Sequence, residues 1–265
     1  MSTLHNPLQL MGPYNLNLKT LYRKVVDLKI DWDQPTPKEI EDELFTFLCP
    51  FLKMEEVLFA RRVCFIEADK VVVMVYFDGS NTALGVSIYV MNIFSDGQMI
   101  VRLLKNKIKL IPMDANTTPR AELLACLICM RLLETIESDL KYFFEIFKGE
   151  IVFEVYGDSA IVLSQLLKDS WLFKQWVQLR VDEIQQLKKN MKQEVSFFHI
   201  PSGENKADIL TRNHSGEPVD LPYVKDCQVD TTQAVLYSQD VTDVHSLPEV
   251  NTKKITSNQM SINNN

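Results

Sequence analysis

Seven consecutive residues of high strand propensity, Val71-Val72-Val73-Met74-Val75-Tyr76-Phe77, stop abruptly at Asp78-Gly79-Ser80. A run that is apolar at every position belongs to a strand covered on both faces. This one therefore reads as the buried centre of a sheet, delivering Asp78 to its C-terminal rim. Taken alone, Asp78 could simply begin a turn, since strands ending in Asp-Gly are ordinary. Three later elements present an acid in a comparable way, through Glu122, Asp158 and Asp208, and that repetition gives Asp78 a second meaning.

The rest of the chain supplies the layers such a strand needs. Leu84 to Val90 follows a Gly-Ser-Asn-Thr turn, so an antiparallel hairpin is expected. Met99 to Leu104, after Ser95-Asp96-Gly97, adds a third strand to the meander. Thr118, as cap, and Pro119, in the first turn, open an apolar helix to about Ile136. In that helix Glu122, Ala125, Cys126, Cys129 and Leu133 share one broad face. A glutamate turned towards a sheet must be neutralised or paired.

Ile151 to Tyr156 is another nearly continuous apolar strand, ending at Gly157-Asp158-Ser159, and Ala160 to Lys168 reads as a helix directly after it. An acid at a strand-to-helix junction belongs to the open α/β arrangement, in which ligands gather beyond the carboxyl ends of strands. A helix from about Trp171 to Lys189 carries Arg180 among apolar residues, as a snorkelling stem or an ion pair. Val195 to Ile200 makes the last strand, and Glu204 to Thr211 a short helix bearing Asp208. The fold class expected is α/β: a mixed five-stranded sheet with helices on both faces, preceded by a small, mainly helical segment.

Three regions are expected. Residues 1–63 form an appendage with a helix that begins at a Thr36/Glu39 capping box, with Pro37 at the first helical position, and stops at Pro50. Residues 64–212 hold the α/β unit. Residues 213–265, with seven acidic and three basic residues, are expected to be an acidic polar tail, partly packed to about Tyr237 and disordered beyond it.

Composition narrows the function classes. No run of 18 apolar residues and no secretory pattern is present, so a cytoplasmic or nuclear location without a membrane is expected. Five cysteines, an odd number, suit a reducing compartment. Cys126 and Cys129 have a zinc-like separation but lie inside a helical pattern with no second ligand pair, which favours core thiols. A formal charge of −7 is a poor match for a broad polyanion-binding surface. It leaves room for carboxylates that bind cations, because the ions bring their own positive charge.

Four acids from four elements would repel one another unless cations sat between them, and oxygen-only donors favour Mg²⁺ or Mn²⁺ over zinc. Two such ions about 4 Å apart can activate a water and stabilise the departing oxygen of a phosphodiester. Turns and helix starts collect acids in any case, so the plain structural reading stays open on spacing alone.

The order of elements combines with four motifs. These are Phe77-Asp78-Gly79-Ser80, Pro119-Arg120-Ala121-Glu122-Leu123-Leu124-Ala125, Gly157-Asp158-Ser159-Ala160-Ile161-Val162-Leu163, and Pro201-Ser202-Gly203-Glu204-Asn205-Lys206-Ala207-Asp208-Ile209-Leu210-Thr211-Arg212. Together they resemble the ribonuclease H domain of LTR-retrotransposon polyproteins, with the BEL/Pao class the best match. Asn6 to Pro13 and Asp31-Trp32-Asp33 resemble the connection region that precedes it, so the likeness spans about residues 6 to 212.

The resemblance implies two Mg²⁺ (or Mn²⁺) ions held by Asp78, Glu122, Asp158 and Asp208. Asp78 would bridge both ions, Asp208 would complete the water-activating one, and Glu122 with Asp158 would hold the other. It implies endonucleolytic hydrolysis of the RNA strand of an RNA–DNA hybrid, alongside a reverse-transcriptase polymerase domain absent from this chain. In the loop where many ribonucleases H carry a mobile histidine, Pro201-Ser202-Gly203 stands instead, and His199 falls earlier, as a structural residue.

Ser80, Asn81, Asn116 and Asn205 lie near the acids and could donate to backbone or 2′-hydroxyl oxygens, with turn or cap roles equally open. Lys105, Lys107 and Lys109 alternate along one side of an extended segment, as a phosphate track or as a solvated strand face. The competing classes are a catalytically silent nucleic-acid or protein binding module of the same fold, and an exonuclease or DNA-joining enzyme with similar acids.

Overall fold

The computed structural model describes residues 9, 12–31, 33–52, 61–112, 114–115, 117–212, 235–236 and 247–251. At its centre lies β1 (Lys70–Gly79), whose Val71 to Phe77 are at most 2% exposed. It pairs antiparallel with β2 (Ala83–Ile93) and parallel with β4 (Glu150–Gly157). β3 (Met99–Leu110) lies outside β2, and β5 (Glu194–His199) pairs parallel with β4. The order β3-β2-β1-β4-β5 makes the expected mixed five-stranded ribonuclease H-like sheet, to which a two-residue strand, β6 (Val235–Leu236), adds beyond β5.

One face is covered by α3 (Thr118–Asp139), α5 (Ala160–Leu166) and α6 (Gln175–Asn190), with Val73, Val75, Phe77, Phe153, Leu123, Cys126, Met130 and Val181 in a single core. Cys126 and Cys129 are fully buried there, and burial pushes both thiols up, as expected of core residues. A short α4 (Lys141–Ile146) follows α3 without having been expected. On the other face Tyr76, Tyr156 and Phe198 stack with centroids 4.9 and 5.1 Å apart. Here α1 (Gly12–Asp27) packs Leu16 against Ala83, Ile108 and Leu210, so helices flank both faces. α1 also contacts α2 (Lys38–Leu52).

Several boundaries differ from the sequence reading. α2 continues past Pro50, because a proline near a helix end removes one amide donor and leaves the earlier turns bonded. Its first turn is closed by the Pro37 carbonyl, which accepts from Ile40 and Glu41, so the helix begins one residue later than the capping box suggests. α3 is preceded by Thr117 as N-cap, without a side-chain cap bond. The helix expected from Trp171 is a 3₁₀ turn, Ser170–Leu172, followed by α6. β3 runs on to Leu110 and so includes all three alternating lysines.

The tail also departs from expectation at its described end. Val250 bridges antiparallel to Phe173, and the amides of Lys174 and Asn251 donate to Glu249 and Leu172 carbonyls at 2.7 Å each. Leu247 is buried in the main core, and this apolar anchor orders a stretch whose polar composition suggested disorder. Residues 213–234, 237–246 and 252–265 lie outside the described residues. No described helix is long and apolar enough to cross a membrane.

Candidate active site

The parallel pairing of β1 with β4 runs through Tyr76 and Tyr156 in register. Two residues further on, each strand reaches its acid, so Asp78 and Asp158 stand level on the same rim. Two glycines bring the other acids up to them. A Cβ on Gly79 would lie 2.4 Å from the Ala121 carbonyl carbon and the Glu122 amide nitrogen. The bare backbone therefore lets the first turn of α3, and Glu122 with it, come down onto the strand end. Gly85, which pairs with Asp78 across the hairpin, does the same on the other side, where a Cβ would meet Leu210 and Thr211 side-chain carbons at 2.9 Å. The last motif forms two 3₁₀ turns, Ser202–Glu204 and Asp208–Leu210, in place of the single short helix expected, and Asp208 opens the second.

All four acids are half-buried. The carboxyl of Asp78 is pushed above its ordinary value chiefly by burial, with the charges of Asp158 and Asp208 adding to the rise. Hydrogen bonds from Thr211 and the Gly79 amide oppose it. Burial likewise raises Glu122, against a hydrogen bond from Ser159, and Asp158 and Asp78 raise it further. Each of the two enclosed acids thus feels the field of its neighbours, the behaviour of like charges gathered at one place.

Each acid is also turned to a protein donor. Thr211 Oγ1 donates to Asp78 Oδ2, and Ser159 Oγ to Glu122 Oε2 at 2.5 Å. Asn205 Nδ2 donates to Asp158 Oδ1 at 3.1 Å and to the Phe77 carbonyl at 3.0 Å, tying the loop of Asp208 to the rim. Arg212 Nε pairs with Asp208 Oδ2 at 2.6 Å. Among the described residues no group of three or more His, Cys, Asp or Glu is assembled as a cation site. The donor chemistry, oxygen-only and excessively negative, nevertheless suits a hard divalent cation such as Mg²⁺ or Mn²⁺.

The remaining candidates divide. Ser80 is a turn residue: its hydroxyl donates to the Thr211 carbonyl at 3.2 Å and accepts from the amides of Thr82 and Ala83. Asn81 Oδ1 accepts from Thr118 Oγ1 at 3.2 Å, linking the hairpin turn to the start of α3. Asn205 is buried and committed to the bonds above. Asn116 lies outside the described residues. His199 Nε2 donates to the Asp158 carbonyl at 3.2 Å, bracing the rim from β5. Arg180 stacks 3.5 Å over the Trp176 ring and sits 3.5 Å from Asp114, the ion-pair role its position suggested. Sequence reasoning missed Thr211, Ser159 and Arg212 as partners of the acids. All three stand within the motifs quoted, next to or near an acid, but hydroxyls and an arginine in such places carry no distinguishing pattern.

A family model described as the Pao retrotransposon-like RNaseH-like domain matches residues 1–151. No curated protein matches the chain. Among solved structures, the chain is similar to LC11-RNase H1, isolated from compost by a metagenomic approach, at 19% identity. That match covers 54% of this chain and 92% of that one, with a TM-score of 0.38. RNase H1 from the halophilic archaeon Halobacterium salinarum NRC-1 is also 19% identical, over 52% of this chain and 93% of that one, with a TM-score of 0.31. LC11-RNase H1 in complex with RNA/DNA hybrid matches at 16% identity over 53% and 92%, with a TM-score of 0.32.

Proposed function

Since the chain belongs to the Pao retrotransposon-like RNaseH-like domain family, we propose that it hydrolyses the RNA strand of RNA–DNA hybrids endonucleolytically, with a divalent cation bound among Asp78, Glu122, Asp158 and Asp208. The observation that carries this reading is the elevation of Asp78 and Glu122 by burial and by neighbouring carboxylates at the rim of the central strand. A fold that holds like charges together in a half-buried place carries an electrostatic cost that a cation relieves. Mg²⁺ or Mn²⁺, when bound, supplies Lewis-acid polarisation of a phosphate oxygen and a more acidic water.

The chain's own residues orient the acids. Thr211 and Ser159 fix the enclosed carboxylates by hydroxyl donation, Asn205 ties Asp158 to β1, and His199 braces the Asp158 backbone. In this reading RNA is distinguished by its 2′-hydroxyls, which an A-like duplex presents in a wide minor groove. The polymerase partner of a retrotransposon polyprotein would supply further grip on the duplex.

The test is cleavage of labelled RNA–DNA hybrid by the purified chain with Mg²⁺ or Mn²⁺. Internal cuts in the RNA strand, lost in Asp78→Asn, are expected. No cleavage by the parent at high enzyme concentration, or undiminished cleavage by Asp78→Asn, would overturn the proposal.

One observation favours a second reading, a binding module without hydrolysis: Arg212 already neutralises Asp208. Hybrid binding that is indifferent to divalent cations, in a chain that never cleaves, would mark that outcome.

A further inference from the structure

β3 is the outermost strand on its side of the sheet, and its last residues lie at the same end as the acids. Asp78 pairs with Gly85, which in turn pairs with Ile108, while Gly79 is aligned through Leu84 with Lys109. Lys107 and Lys109 are therefore two strand spacings, roughly 10 Å, from the strand that delivers Asp78. Lys105, Lys107 and Lys109 fall on one side of β3, opposite Ile88, Val86 and Leu84, at intervals of about 6.7 Å.

The N-terminal helix adds a fourth cation. Gln9 accepts from the Ile108 amide at 2.9 Å, Arg23 donates to the Ile111 carbonyl at 3.0 Å, and Lys19 donates to the Ile108 carbonyl at 3.0 Å. These bonds cap the open edge of β3 and pin the Lys19 ammonium beside the row. Two of the ammonium groups feel their neighbours: burial and the charges of Lys107 and Lys109 lower Lys19, while burial and the charges of Lys109 and Lys105 lower Lys107. Ion pairs between described residues engage Lys24, Lys70, Lys141 and five arginines, and none of these four lysines. In a chain with seven more acidic than basic residues, four neighbouring cations without an acid partner among the described residues ask for an anion from outside.

We infer that Lys19, Lys105, Lys107 and Lys109 form a strip that binds the phosphate backbone of a nucleic-acid strand and leads it to the carboxylate rim. The inference rests on nucleic acid being the substrate. A row of lysines at every second strand position matches a repeating, single-sign backbone. The amines contact phosphates as point charges, giving grip without sequence preference. Anchoring on α1 explains why the N-terminal segment belongs with the sheet: it completes the strip as well as covering the edge.

The test is binding of a fluorescent RNA–DNA hybrid in Ca²⁺, over a series of salt concentrations, with cleavage measured separately in Mg²⁺. The triple variant Lys105→Gln/Lys107→Gln/Lys109→Gln is expected to bind at least about 10-fold more weakly. Its salt dependence should flatten by about 2 to 3 units of slope, near 0.9 per lost phosphate contact. Lys19→Gln should flatten the slope by about 1. Lys189→Gln, at the far end of α6, should change neither quantity, and the triple arginine variant should keep parental binding.

Equal affinity and slope in the glutamine triple would overturn the strip. So would no hybrid binding by the parent at low salt, weakening by the arginine triple, or competition by polyglutamate as effective as that by nucleic acid. A parent that binds through the strip yet never cleaves would remove the nuclease reading and leave the strip standing. A parent that cleaves with the triple variant unimpaired would do the reverse.

Discussion

Two charged regions meet at the start of α3, only two residues apart, and they are built on opposite logic. Around Arg120, opposite charges alternate. Arg120 donates to both oxygens of Glu249 and to the Asp114 carbonyl, Trp176 Nε1 donates to Asp114 Oδ2 at 2.9 Å, and Arg180 lies over the same indole. The hydrogen bond from Trp176 holds the Asp114 carboxyl below its ordinary value, and that from Arg120 does the same for Glu249. Around Glu122, acids face acids, and burial pushes Asp78 and Glu122 up instead. The first cluster is complete within the chain and ties residues 247–251 to the domain. The second sets acid against acid, with Arg212 paired to Asp208.

The sharpest way to break this contrast is to remove one acid from the second cluster. Asp78→Asn should lower hybrid cleavage by at least about a thousandfold in a steady-state assay, since metal-assisted charge stabilisation contributes several kcal/mol to such reactions. Losing Glu249 should leave cleavage within about a few-fold of the parent, because a partly buried ion pair steers packing rather than chemistry. Gly79→Ala should come next. The added methyl meets backbone at 2.4 Å, so α3 must move away from β1, at a cost of about 1–3 kcal/mol in chemical denaturation and a clear loss of cleavage.

Proton linkage separates the two clusters by sign. For Asp78 and Glu122, with folded values raised, the stabilising contribution is complete below the ordinary carboxylate value and is lost as pH rises through the raised one. Without divalent cations, Asp78→Asn should therefore melt higher than the parent by about a few degrees at pH 7, and the gain should vanish towards pH 3. Glu249, with a lowered value, behaves oppositely: its contribution is present above the ordinary value and lost as pH falls through the lowered one. Glu249→Gln should cost at most about 1 kcal/mol at pH 7, measured by thermal melting, and less as the pH falls.

How much of this was legible beforehand follows from how local each signal is. β1 and α3 announce themselves through continuous or periodic apolar runs, and the strand-to-helix junction at Asp158 through its order in the chain. The four acids could be named because each ends or begins such an element and because the motifs resembled a known family. Contacts between distant polar groups left no trace. Lys19 and Arg23 bind carbonyls 89 and 88 residues away, and Thr211 reaches Asp78 across 133 residues. A lysine or threonine that will do this looks like any other on the surface of a helix or turn.

The order at Leu247 and Val250 was hidden similarly, since two apolar residues in a polar tail give no periodicity. Gly79 and Gly85 illustrate the intermediate case. Both were visible as glycines in or beside strands, yet the close approaches they permit, to α3 and to the turn of Asp208, appear only when the layers are assembled.

Calorimetric titration of Mn²⁺ into the folded chain, parent beside Asp78→Asn, tests most directly whether the four acids act as one cation site. Saturable binding of at least one ion per chain, lost in the variant while the fold is kept, is the predicted result. Heat indistinguishable from dilution in the parent, or an unchanged isotherm in Asp78→Asn, would contradict it.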